Sequence, residues 1–178
     1  MGKLIISSLV SLDGGQHAPQ SWAGEYFNEE AVAKSMARLE HCDAMLMGRN
    51  AYQYLAPSWS QPSGPYLERI NNMRKYVFSS TLRSADWNNS EIISGDVVAE
   101  TTRLKQDSTG DLVMYGCGRL GQTLLEHDLV DVLDLWIHPV ILGTGESLLH
   151  KGQRKELQLD SVERRSTGVV SLTYVRKE

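Results

Sequence analysis

A glycine-rich turn in the second half of the chain carries residue types that could hold a phosphate. An apolar run, Leu112–Tyr115, stops at Gly116-Cys117-Gly118, and a helical pattern with Leu120 and Leu124 on one face follows. Glycines let a backbone approach a ligand closely because they carry no Cβ. The first N–H groups of a helix, at the positive end of its dipole, favour an anion. The spacing predicts a strand, a phosphate-binding turn and the start of a helix.

Two alternatives compete with this interpretation of the turn. Gly116, Gly118 and Gly121 also match G-x-G-x-x-G, the fingerprint of the Rossmann fold, which lies on a first strand and needs an acid at the end of the next one. Here the next predicted strand, 132–137, ends at His138-Pro139, so a Rossmann unit is disfavoured. The second alternative, a turn that only lets the strand and the helix pack closely, is not excluded by the sequence. We favour a phosphate-binding turn in another α/β fold.

Two further strand ends carry groups suited to a nucleotide. The buried run 44–47 ends at Gly48-Arg49, and the run 76–78 ends at the hydroxyl cluster Ser79-Ser80-Thr81. A cation at the start of a helix is disfavoured by the dipole, so Arg49 makes better sense if a bound anion offsets it. Ligands of open α/β sheets collect at the carboxyl ends of strands. Three such ends together predict a nucleotide site.

The elements that must position these groups alternate along the chain. Strand, helix and strand patterns recur with short loops, which predicts an α/β fold with a mostly parallel central sheet and helices on both faces. Asn28 and Asp96 are expected to cap helices. The proline-rich segment 56–65 is expected to be a surface loop, followed by a helix from Leu67 to Met73. Near the end, 156–162 and 169–175 alternate like an antiparallel hairpin with its turn near Gly168.

Bulk properties narrow the class of protein. With 178 residues and 41% hydrophobic content, the chain is expected to be one domain, residues 1–178. A net charge of −4 gives no electrostatic case for nucleic acid or an anionic membrane. The two cysteines, Cys42 and Cys117, form no C-x-x-C pair and indicate a reducing compartment. We therefore expect a cytoplasmic protein, and the spacing of its histidines predicts no metal site.

The chain resembles a known group of proteins. Five short motifs carry the resemblance, in order and at matching spacing: Val10–Gly14, Met47-Gly48-Arg49 with Tyr52, Tyr76–Ser79, Tyr115–Leu120 and His138–Gly143. They are similar to the dihydrofolate-reductase-like superfamily. The closest likeness is to the reductase domain of bacterial riboflavin biosynthesis, the C-terminal part of the bifunctional deaminase-reductase, and to its stand-alone relatives. The resemblance implies a three-layer fold with a C-terminal antiparallel hairpin.

The resemblance also implies NADPH as cofactor and assigns residues to it. The pyrophosphate and adenosine side would meet Gly48, Arg49, Asn50 and Ala51. The 2′-phosphate would lie among Ser79, Ser80 and Thr81, with Arg49 as its cation. The pyrophosphate and nicotinamide ribose would be cradled by Tyr115, Gly116, Cys117, Gly118, Arg119 and Leu120. The loop from Leu12 to Trp22 would close over the nicotinamide and the substrate.

The reaction implied is hydride transfer from NADPH to a carbon of a small heterocycle or carbonyl compound, similar to that of 5-amino-6-(5-phosphoribosylamino)uracil reductase. Asp13 is the first candidate beside the reacting atoms, with a plain turn-forming role as the alternative. Glu29 or Glu30 is the second candidate. Trp22 either stacks on the substrate or fills the core. Riboflavin-pathway reductases commonly carry a basic residue about where Ser7 stands.

Two alternative functions and a homodimeric assembly are also expected from the resemblance or left open by it. A folate or pterin reductase would need a carboxylate on the helix after Asn28. A non-catalytic nucleotide-binding protein of the same fold would retain the residues that bind the nucleotide but would have no turnover. The family implies a homodimer, and the apolar alternating strand 169–175 is expected to be an edge that needs a cover.

Overall fold

A single eight-stranded sheet forms the centre of the computed structural model, which describes residues 1–143, 147 and 154–177. Its strands follow the chain as β1 (Leu4–Val10), β2 (Cys42–Gly48), β3 (Arg74–Phe78), β4 (Ser90–Ile93), β5 (Asp111–Tyr115), β6 (Val132–Ile137), β7 (Leu157–Arg164) and β8 (Val170–Arg176). Their order across the sheet is β4-β3-β2-β5-β1-β6-β8-β7. The first six are parallel, while β8 runs antiparallel to both β6 and β7.

Among the described residues, five α-helices cover the two faces of this sheet. They are α1 (Glu29–Leu39), α2 (Arg49–Trp59), α3 (Gly64–Asn72), α4 (Val97–Asp107) and α5 (Arg119–Glu126). The predicted caps are confirmed: the Asn28 side chain accepts from Ala31 N–H at 3.1 Å, and Asp96 from Ala99 N–H at 2.8 Å. The predicted α/β fold with a C-terminal hairpin is confirmed as well.

The period of two along each strand divides the core into two layers. On one face Leu46 and Met114 pack with Leu104 of α4 and Leu124 of α5. On the other face Met47 and Val113 pack with residues of the first three helices, namely Leu39, Tyr52, Leu55 and Ile70. The strands β1, β2 and β5 are buried on both sides, which is why they read as near-continuous apolar runs in the sequence.

Two expectations about element boundaries are wrong. The segment 56–65 is largely helical, because α2 continues through Pro57 to Trp59 and α3 already begins at Gly64. The buried side chains of Tyr52 and Leu55 hold α2 on the sheet, so packing overrides the local preference that proline sets. The strand 169–175 is not an edge, since β8 lies between β6 and β7. The edge on that side is β7.

The parallel strands bring their carboxyl ends to one edge of the sheet. The residues at or directly after those ends are Ser11, Gly48-Arg49, Ser79, Gly116 and His138. The arrangement gathers the predicted site on one side of the molecule. In the described part of the chain, no helix is both long and apolar enough to cross a membrane.

Candidate functional site

The three glycines of the motif after β5, two in the turn and one inside α5, have three different physical roles. Gly116 has a φ of +79°, which side-chain-bearing residues rarely adopt. A Cβ built on Gly118 would meet nothing within 4 Å, so the space in front of it is open. A Cβ on Gly121 would lie 3.0 Å from Cys117 Sγ and 3.2 Å from Ile6 Cδ1. Close packing therefore explains Gly121 alone, whereas Gly116 and Gly118 leave room for a ligand.

Cys117 sits at the centre of the turn with its side chain turned inward. The residue is fully buried, and burial raises the pKa of its thiol to about 12. An uncharged, inaccessible thiol packs but does not react. Gly118 holds the N-cap position of α5, where it has no side chain to cap the helix. Gly118 and the next residue, Arg119, are exposed, so the start of α5 faces outward.

The ends of β2 and β3 meet through their side chains. Arg49 begins α2 and donates from Nη1 to the Thr81 hydroxyl at 2.8 Å. Ser79 stabilises the turn that follows β3, because its hydroxyl accepts from the N–H groups of Thr81 (3.2 Å) and Leu82 (2.9 Å). The outcome is an exposed guanidinium beside a loop of hydroxyl groups that also carries Ser80.

The β2 end also adjoins the turn after β5. A Cβ built on Gly48 would lie 3.7 Å from the Cβ of Leu120 in α5. Asn50 and Ala51 follow Arg49 in the first turn of α2, Asn50 exposed and Ala51 packed against the core. The structure thus brings the predicted groups at the ends of β2, β3 and β5 together along one edge.

Asp13 is an exposed residue whose carboxylate is held by hydrogen bonds from the loops around it. Its carboxylate accepts from the Ser11 hydroxyl at 2.6 Å and from the N–H groups of Leu142 (3.1 Å) and Gly143 (2.8 Å). These hydrogen bonds, that of Ser11 first, lower the pKa of Asp13 to about 2. An ionised carboxylate with its oxygens engaged ties the loop after β1 to the segment after β6. The geometry favours the turn-forming alternative for Asp13.

The other two candidate catalytic residues, Trp22 and Glu29, have different surroundings. Trp22 donates from Nε1 to the His17 carbonyl at 2.8 Å, and its ring packs edge-on against His138, with centroids 5.2 Å apart. Burial lowers the pKa of His138, which is a buried anchor for the Trp22 ring at the end of β6. Glu29 is exposed in the first turn of α1, while its neighbour Glu30 accepts from the Ser166 hydroxyl at 2.7 Å.

A row of aromatic rings lies beside the turn on the face covered by α1, α2 and α3. Successive ring centroids are 5.4 Å apart from Tyr115 to Trp59, 6.0 Å from Trp59 to Tyr66, 6.0 Å from Tyr66 to Phe27, and 6.4 Å from Phe27 to Trp136. The row runs from β5 to β6. Sequence analysis missed it because its members are scattered over more than a hundred residues.

A buried charged pair lies under this row and was also missed. Arg38 of α1 donates to Asp134 of β6 and, at 2.9 Å, to the Ser7 hydroxyl of β1. The side chains of Arg38 and Asp134 are 10% and 3% exposed. Asp134 Oδ2 also accepts from Trp136 Nε1 at 2.6 Å. A cation therefore reaches Ser7 from a different element, at the position where the resemblance leads one to expect a basic residue.

Comparisons with known proteins first define the fold. Dihydrofolate reductase from Enterococcus faecalis, solved with NADP(H), superimposes with a TM-score of 0.64 at 14% identity, over 99% of this chain and 98% of that chain. A Shewanella sp. PV-4 protein assigned to riboflavin biosynthesis superimposes with a TM-score of 0.81 at 21% identity, over 99% of each chain. The fold is that of dihydrofolate-reductase-like proteins.

The family follows from sequence. The RibD C-terminal domain model matches residues 2–171, and the chain belongs to that family. It is also 31% identical over 142 residues to the uncharacterized protein YyaP of Bacillus subtilis (strain 168), a span that covers 76% of this chain and 75% of YyaP. The family predicted from the five motifs is confirmed.

Proposed function

We propose that the protein is an NADPH-dependent reductase that acts on a small planar heterocycle or carbonyl compound. One observation carries the proposal: the exposed Arg49–Thr81 pair adjoins a glycine turn with open space at Gly118. A guanidinium beside hydroxyl groups suits a phosphate monoester, because both are hydrogen-bond donors and one is charged. The open turn suits a pyrophosphate that must approach the backbone closely.

These two parts of the site match two phosphate groups of one ligand. Arg49, Thr81 and Ser80 would hold the 2′-phosphate, and the Gly116–Gly118 turn with the start of α5 would hold the pyrophosphate. When bound, NADPH supplies the hydride. The protein then has to orient the acceptor and shield it from water. Membership of the RibD C-terminal domain family supports the same assignment.

The aromatic row supports a flat acceptor. Tyr115 belongs to this row and, as the last residue of β5, directly precedes the turn that would hold the cofactor, so a planar substrate lying along the rings would be close to the cofactor. Aromatic side chains favour planar rings through offset and edge-to-face contacts. Such a substrate agrees with a pyrimidine of the riboflavin pathway, as in 5-amino-6-(5-phosphoribosylamino)uracil reductase.

The folate or pterin alternative has less support. It needs a carboxylate on α1 that faces the sheet, but Glu29 is exposed and Glu30 is engaged by Ser166. The charged side chain that α1 directs inward, among the described residues, is Arg38, which is paired with Asp134. An arginine there would repel the protonated amidine edge that a carboxylate would bind.

Two measurements test the proposal. Calorimetric titration should give tighter binding of NADPH than of NADH. Oxidation of NADPH, followed by absorbance, is then measured against a panel of pyrimidines, pterins and carbonyl compounds. Turnover of a pyrimidine or carbonyl supports the reductase, and turnover of a pterin alone supports the alternative. Binding with no turnover of any compound would favour a non-catalytic nucleotide-binding protein.

A further inference from the structure

The side chain of Gln16 holds both backbone groups of Cys117 in the turn after β5. Its Nε2 donates to the Cys117 carbonyl at 2.9 Å, and its Oε1 accepts from the Cys117 N–H at 3.0 Å. The Ser8 hydroxyl donates to the same Oε1 at 3.2 Å. These contacts join the loop after β1 to the turn, and they engage the N–H and the carbonyl of Cys117 within the protein.

The backbone next to Gln16 is itself fixed. The Gly15 N–H donates to the Ser11 hydroxyl at 2.8 Å, and the Ser11 N–H donates to the Gly15 carbonyl at 2.9 Å. The Ser11 hydroxyl donates in turn to the Asp13 carboxylate at 2.6 Å. Gln16 therefore follows a closed turn, so its side chain meets Cys117 with little further loss of conformational entropy.

The contact with Gln16 determines where the next N–H group points. A trans peptide is planar, and its carbonyl and N–H lie on opposite sides. Every described peptide bond is trans. Because the Cys117 carbonyl points to Gln16, the Gly118 N–H in the same peptide plane points the opposite way. The space in front of Gly118 is open, since a Cβ built there would meet nothing within 4 Å.

The N–H groups of the turn thus fall into two sets. The Gly116 N–H donates to the Ser7 carbonyl at 2.9 Å, and the Cys117 N–H donates to Gln16, so both are used within the protein. Among the described residues, the N–H groups of Gly118 and Arg119 have no hydrogen-bond acceptor. Unpaired N–H groups at the start of a helix favour an anion. The pyrophosphate is therefore expected at this second set.

We propose that Gln16 is a positioning residue of the cofactor site, which fixes the Cys117–Gly118 peptide so that its N–H faces the pyrophosphate. This inference rests on the proposed function. Without Gln16 the peptide can rotate, because Gly118 has no Cβ to restrict its backbone. A rotated peptide would turn the negative end of its carbonyl towards the phosphate. The binding-competent arrangement would then be only partly populated, which weakens the apparent affinity by that fraction.

Replacing Gln16 tests this role. Gln16→Met keeps the length of the side chain and removes its hydrogen bonds. Dissociation constants are measured by calorimetry for NADPH and for adenosine 2′-monophosphate, which has the 2′-phosphate but no pyrophosphate. The variant should bind NADPH roughly 5- to 100-fold more weakly, as expected when two neutral hydrogen bonds no longer hold the turn. Its affinity for adenosine 2′-monophosphate should not change, because Arg49 and Thr81 would bind that ligand.

Gln106→Met is the matched control, since Gln106 is exposed on α4, and it should alter neither constant. Circular dichroism melts check that each variant is folded. Equal weakening for the two ligands, or NADPH binding that is unchanged or tighter, would overturn the proposal. If the wild-type protein did not bind NADPH, the proposed function itself would fall, and the role of Gln16 with it.

Amide hydrogen exchange in the wild-type protein, followed by NMR, tests the direction of the N–H groups without any substitution. The Cys117 amide should exchange slowly with and without NADP⁺, because Gln16 holds it in both cases. The Gly118 amide should become slow only when NADP⁺ is bound. A Gly118 amide whose exchange does not slow on binding, or a Cys117 amide that is protected only by NADP⁺, would overturn the proposal.

Discussion

The Arg49 guanidinium donates to the Thr81 hydroxyl over 2.8 Å and so joins the ends of β2 and β3. Both residues are exposed, and in the described part of the chain no carboxylate lies within ion-pairing distance of Arg49. A cation that is held in position by a neutral hydroxyl keeps its charge available. That relationship is the basis for the first prediction.

Replacing Arg49 should weaken the binding of NADPH selectively. Loss of a charged hydrogen bond costs about 1.5–3 kcal/mol, so Arg49→Ala should raise the Kd for NADPH roughly 10- to 100-fold. The Kd for NADH, which lacks the 2′-phosphate, should change less. Arg74→Ala is the control, since Arg74 is an exposed arginine at the opposite end of β3. Equal losses for both cofactors would contradict the assignment of Arg49 to the 2′-phosphate.

Substitutions of the two glycines of the turn should distinguish an effect on cofactor binding from an effect on folding. Gly118 has an ordinary φ of −75° and open space, so Gly118→Val should lower the free energy of unfolding by no more than about 1 kcal/mol, the usual cost of a poor N-cap, and abolish cofactor binding. Gly116→Val should also destabilise the protein, by about 1–2 kcal/mol or more, because of the positive φ. Urea unfolding and calorimetry measure the two effects. Unfolding of the Gly118 variant would instead support the packing role.

The hydrogen bonds of the Asp13 carboxylate should make the free energy of unfolding depend on pH. The pKa of Asp13 is lowered from 3.8 to about 2, so its contribution is present above the higher value and is lost as pH falls through the lower one. Wild type should therefore unfold at higher urea than Asp13→Asn at neutral pH, and the difference should shrink between these two values. Hydrogen exchange at Leu142 and Gly143 should be faster in the variant. Unchanged exchange with loss of turnover would point to a catalytic Asp13.

The buried pair should be costly to break on one side. Asp134→Ala leaves Arg38 buried without its carboxylate, which should destabilise the protein by about 3–5 kcal/mol. Asp107→Ala breaks the Arg103–Asp107 pair, whose side chains are 51% and 65% exposed, and should cost at most about 1 kcal/mol. Urea unfolding of the two variants gives the comparison. A similar cost for both would show that Arg38 reaches solvent once Asp134 is removed.

We propose that the β7 edge lies in a homodimer interface. Leu159 and Val162 on this strand are 48% and 55% exposed. The outer edge of β7 has no neighbouring strand in the sheet, and an exposed edge with apolar side chains needs a cover. Light scattering at low micromolar concentration should give twice the 19.9 kDa of one chain. Val162→Glu should shift the mass to that of the monomer, while Gln158→Glu on the same strand should not. A wild-type monomer would rule out this interface.

The sequence by itself determined the elements and the family. Near-continuous apolar runs, the caps Asn28 and Asp96, and the glycine turn are local features, and local physics is sufficient to place them. The residues at strand ends could be predicted as one site because parallel strands carry their carboxyl ends to the same edge. The hairpin followed from alternation and from Gly168, whose φ is +87°.

Only the tertiary structure decided the contacts between distant segments. Gln16 meets Cys117 across 101 positions of sequence, and Arg38 meets Asp134 across 96. Neither pair leaves a local pattern, because a side chain's partner depends on strand order and register. The same reason explains the misplaced edge: the alternation of 170–176 identifies a strand but not its neighbours, and pairing with β6 and β7 puts β8 inside the sheet.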